Sequence, residues 1–72
     1  MDREDFRRAR RRIRGPLWES QEYLNFSSVQ KDLVSCDEGQ VLLDKALADL
    51  AAAINSTSLL ISYAARMNGF EE

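Results

Sequence analysis

Leu43, Leu47, Leu50, Ile54, Thr57, Ile61, Ala64 and Asn68 follow one another at steps of four and three, the spacing of a heptad-like seam along one helix face. Flanking Leu42, Ala46, Ala53 and Leu60 widen that seam to an apolar arc of roughly 140°, taking about 100° per residue. Val41, Leu59 and Tyr63 fall nearly opposite it. Asn68-Gly69 supplies a C-terminal stop, with Arg66 in the last turn, so the pattern predicts one long helix over 37–68.

Upstream the periodicity is weaker. Phe6, Ala9 and Ile13 recur at helical spacing and predict a helix over 2–14 with one narrow apolar stripe in a basic coat. Asp2 suits its N-cap, and Glu4 and Asp5 sit in its first turn against the positive end of the helix dipole. Gly15 ends or kinks this helix, and Pro16 suits the first position of the next, where its missing N–H would have no partner. From 16 to 34, Leu17, Trp18, Tyr23, Leu24, Phe26, Val29, Leu33 and Val34 are helical in spacing without sharing one line, and Ser27 with Gln30 offers a second start as a capping box.

A reversal falls in "VSCDEGQ", Val34 to Gln40, where Ser35 and Glu38 have capping-box spacing and Gly39 gives the backbone freedom near a turn. If the chain turns near Cys36, each arm holds about 33 residues and spans about 50 Å. The expected fold is all-α, a single helical domain forming a small antiparallel hairpin with a long C-terminal helix and a kinked or broken N-terminal arm. In an equal-arm hairpin Gly15-Pro16 lies beside Asn55-Ser56-Thr57-Ser58. In the competing geometry residues 2–14 fold back as a separate short helix, and periodicity leaves both open.

Composition sharpens this picture. Of 72 residues 44% are hydrophobic, with only three Gly and one Pro, so wholesale disorder is not expected. A chain this short leaves much apolar surface wet unless a partner covers it. The ridge of Val41, Leu59 and Tyr63 is hard to shelter under a single companion helix. The expected self-association or partner interface is therefore Leu43, Leu47, Leu50, Ile54, Ile61, Val41, Leu59 and Tyr63, with Trp18 as an aromatic anchor. A homodimer or higher homo-oligomer follows.

Charge is lopsided. Residues 1–15 carry seven Arg against three acids, whereas residues 16–72 carry three bases against nine acids, within a net charge of −2. Arg7, Arg8, Arg10, Arg11, Arg12 and Arg14 fall within eight residues. Such a run steers a protein toward an acidic partner, or neutralises phosphates with release of counterions. Over residues 1–15 it resembles the N-terminal arginine-rich RNA-binding helix of lambdoid antitermination proteins. That resemblance implies phosphate contacts from the same six arginines. A third use is internal: Glu4 with Arg8 on one helix, and arginines against Asp44, Asp49, Glu71 and Glu72 across a hairpin.

Candidate chemistry is sparse. There is no histidine, and Cys36 is the sole cysteine, so neither an internal disulfide nor a zinc cluster can form. No Gly-rich phosphate loop or nucleophile with a base is present, and Asp37-Glu38 and Glu71-Glu72 are ordinary solvated neighbours. Cys36 lacks positive surroundings that would activate its thiolate. No enzyme activity and no cofactor are expected. A free thiol, a charged N-terminus and no run of roughly 18 uninterrupted apolar residues point to a cytoplasmic protein without a membrane partner. The sequons at Asn25 and Asn55 then carry no weight. The expectation is a small non-catalytic interaction module, similar in size and outline to adaptors, phage-encoded inhibitors and helical-hairpin co-chaperones. The alternative is an arginine-rich RNA- or DNA-binding regulator that dimerises through its C-terminal helix.

Overall fold

Residues 1–70 are described in the computed structural model, and among them the only regular elements are helices: α1 (Arg3–Leu24), α2 (Ser27–Leu33) and α3 (Asp37–Asn68). At the start of α1 the Asp5 N–H donates to Asp2 Oδ1 at 2.8 Å, which satisfies one of the orphan donors of the first turn. The end of α3 closes on Gly69, whose φ of 72° is left-handed and costs a glycine nothing. From there the Phe70 N–H reaches back to the Ala65 carbonyl at 2.8 Å, a Schellman-type closure.

Helix α1 does not stop at Gly15. It runs unbroken through Pro16, and the break comes instead at Asn25-Phe26, before the short α2. Pro16 has no N–H to offer the Arg12 carbonyl, a loss that in a helix interior costs about 3 kcal/mol. Half-buried or buried residues stand on both sides of the proline, from Phe6 and Ala9 to Leu17, Trp18 and Leu24. Only a continuous rod lets both halves lie along α3, and that packing outweighs the lost bond. Residues 2–14 thus continue the hairpin arm rather than folding back. Neither expected capping box forms: Gln30 Nε2 donates to the Leu24 carbonyl at 2.8 Å, and α3 is capped by the extended backbone of Cys36 without a side-chain bond.

Helices α1 and α3 pack as a hairpin, with α2 against α1 at the closed end. The seam read from sequence is the buried one. Leu43 is 6% exposed, and Leu47, Leu50, Ile54, Thr57, Ile61 and Ala64 are all half-buried, whereas Asn68 is exposed. On α1 the facing line differs from the expected Phe6-Ala9-Ile13 stripe, because Ile13 is 46% exposed and Arg10, Leu17, Gln21 and Leu24 are half-buried. The particle measures 49 × 17 × 16 Å with a radius of gyration of 15.9 Å. A compact chain of this length would have about 11 Å.

Candidate functional surfaces: an arginine groove and an open helix face

Because the contact line of α1 passes from Phe6 through Arg10 to Leu17, with exposed Arg14 beside it, polar side chains of α1 stand at the middle of the open half of the hairpin. A groove of about 470 Å³ results, lined by Phe6, Arg10 and Arg14 on one side and by Ser58, Ile61 and Ser62 on the other. The arginine stems cover apolar surface while their heads stay wet. Arg10 lies 6.0 Å from the Phe6 ring centroid and Arg14 lies 4.4 Å from that of Trp18, positions that limit the freedom of both guanidinium groups. A second, shallower depression of about 340 Å³ is lined by Arg7, Arg10, Arg11, Arg14, Gly15 and Trp18.

Charge pairing differs from the sequence expectation. Arg8 approaches Asp5 at 3.5 Å rather than Glu4. Asp49 takes Lys45 at 2.7 Å, and Asp44 accepts from Gln40 at 2.9 Å, so neither reaches an arginine of α1. The reason is register: both acids sit in the N-terminal half of α3, which lies beside the C-terminal half of α1. Glu71 and Glu72, the other expected partners, lie outside the described residues. Among the described residues Arg3, Arg7, Arg10, Arg11, Arg12 and Arg14 have no carboxylate partner.

The residues expected at a self-association or partner interface divide into two groups. Leu43, Leu47, Leu50, Ile54 and Ile61 line the intramolecular seam, and Trp18 is half-buried on α1. Val41, Leu59 and Tyr63 point away from it. With Leu42, Leu60 and Met67 they are between 53% and 68% exposed. Leu42 and Leu60, read from sequence as the margin of the buried arc, thus belong to the open side. Cys36 is exposed at the closed end.

Two further observations bear on partners. By length and composition alone α3 could cross a membrane, since no charged residue lies between Asp49 and Arg66. Among the described residues no group of three or more His, Cys, Asp or Glu stands together as metal ligands would. Compared with protein-family models, with curated proteins and with solved structures, the chain matches none.

Proposed function

We propose that this chain is a non-catalytic protein-interaction module of the cytoplasm, which self-associates and docks on protein through the open face of α3 while α1 supplies electrostatic steering. The observation that carries this is the exposure of Val41, Leu42, Leu59, Leu60, Tyr63 and Met67 on a single helix. The total exposed area supports it: 5655 Å², against about 4,500 Å² for a compact monomer of 8.2 kDa. The surplus is comparable to one partner's share of a standard interface, about 800 Å². A bilayer would serve α3 less well, because Asn55, Ser56, Thr57 and Ser58 fall mid-helix and α1 holds its arginines alongside.

Sedimentation equilibrium of the purified chain tests the proposal. The expected mass exceeds 8.2 kDa and rises with concentration. A monomer throughout the micromolar to millimolar range removes self-association.

The alternative, a nucleic-acid-binding regulator that dimerises through α3, draws on a different observation. Six arginines on one helix have no carboxylate partner among the described residues, leaving their charge available to phosphates. Asp2 at the N-cap, with Glu4 and Asp5 in the first turn of the same helix, opposes it.

A further inference from the structure

The open side of α3 carries a second heptad-like seam. Leu42, Ala46, Asp49 and Ala53 follow at steps of four, three and four, and Ser56, Leu60, Tyr63 and Met67 continue the same alternation. All eight are exposed, and at 100° per residue they centre about 100° around the helix from the seam that α1 fills. A helix with two such seams at that angle sits at a corner of a four-helix bundle, where each helix has two neighbours. Only one neighbour is supplied by this chain.

Side-chain size along the second seam is graded. Apart from Leu42 the first half is small or short, whereas the second half, after Ser56, holds Leu60, Tyr63 and Met67. Against a second copy running the opposite way, Ala46 meets the partner's Tyr63, Asp49 meets the partner's Leu60, and Ala53 meets the partner's Ser56. Large faces small or short at two of the four levels, small faces small at the centre, and Leu42 meets the partner's Met67 at each end, so the helices can approach closely in the middle while the ends are filled. A parallel pair sets Tyr63 on Tyr63 and Ala46 on Ala46, which overfills one end and leaves the other empty.

Charge selects the same orientation. Residues 1–15 with 54–70 carry eight arginines and three carboxylates, to which the sequence adds Glu71 and Glu72, a balance still positive; the closed half, residues 16–53, carries two lysines and seven carboxylates. In a parallel dimer arginine lies on arginine. In an antiparallel dimer each arginine-rich half lies over the acidic half of the other copy, beside Glu19, Glu22, Asp32 and Asp44.

Resting on the self-association proposed above, we infer that the occupant of this face is a second copy of the chain, packed antiparallel along the Leu42–Met67 seam into a four-helix bundle. The arginines of α1 then complement the acids of the partner's closed end. Asp49, the seam's one charged residue, is paired with Lys45 at 2.7 Å, so it enters the interface as half of an ion pair rather than as a lone charge.

Disulfide trapping and salt dependence test the orientation. In a Cys36→Ser background, a mixture of Leu42→Cys and Met67→Cys chains under a mild oxidant should give the mixed 42–67 disulfide and little of either homodimer. Ala53→Cys mixed with Ser56→Cys should behave alike, each variant keeping the helix content of the parent by circular dichroism. The unmodified chain supplies a readout free of substitutions: raising ionic strength until the screening length falls below about 10 Å should weaken an antiparallel dimer about fivefold or more. A dimer trapped as 42–42 and 67–67, or one that tightens in salt, overturns the antiparallel packing and leaves self-association intact. A dimer that forms neither set uses another face and overturns this inference alone. A chain that stays monomeric in sedimentation overturns both.

Discussion

The Phe6 ring stands 5.4 Å from the Phe70 ring, centroid to centroid, at an interplanar angle of 50°. This tilted pair joins the second turn of α1 to the residue just beyond the glycine stop of α3, and Arg3 lies over the Phe70 ring, 5.5 Å from its centroid. Among the described residues Phe6 is one of two buried hydrophobic residues, the other being Leu43 near the closed end. The long seam is thus anchored at both ends and half-open between them.

Phe6→Ala should therefore remove about 3 kcal/mol or more, the usual range for a buried phenylalanine. In a domain with so thin a core that is a large share of the total stability. Urea unfolding followed by circular dichroism at one fixed chain concentration measures it. Phe70→Ala, at a half-buried position, should cost less than Phe6→Ala.

Two glycines give opposite expectations. Gly15 lies inside α1 with open space where a Cβ would go, so Gly15→Ala should stabilise by roughly 0.5–1 kcal/mol through helix propensity. Gly69 at φ 72° has open space as well, yet its backbone conformation is left-handed. Gly69→Ala should destabilise by about 1–2 kcal/mol. Paired thermal melts at equal concentration read both signs.

Leu43 and Leu60 separate folding from association. Leu43→Ala should cost about 2–5 kcal/mol and lower helix content on mild heating, because it opens the intramolecular seam. Leu60→Glu, at a position 60% exposed, should leave helix content unchanged and raise the dimer dissociation constant at least tenfold. Circular dichroism and sedimentation on the same samples distinguish the two effects.

Trp18, the only tryptophan, sits beside Arg14 and reports on the arginine face. Mixed-sequence oligonucleotides at low and raised salt should give no saturable change in its fluorescence. Saturable binding whose affinity falls steeply with salt, and which Arg10→Gln with Arg14→Gln weakens, would establish the nucleic-acid alternative instead.

Much of the fold was legible in the order of residues because helix signals are local. The steps of four and three in α3 identified Leu43, Leu47, Leu50, Ile54 and Ile61 as one face, and that face is the buried one. Asp2 was readable as an N-cap because capping depends on a side chain and a backbone N–H three residues away. The arm length followed from rise per residue, about 50 Å against the 49 Å observed.

What sequence could not settle was every choice in which a local preference competes with packing on a distant segment. Gly15-Pro16 carries a strong local stop signal, yet α1 continues through it because α3 holds residues on both sides. Ile13 matched the helical stripe, but the crossing of α1 on α3 turned it outward and put Arg10 on the contact line. Which of two candidate faces of α3 receives α1, and which stays open, depends on the rotation of one helix about its axis against another. That rotation is fixed by contacts between residues 6–24 and 43–70, far apart in the chain, and so only the tertiary structure decides it.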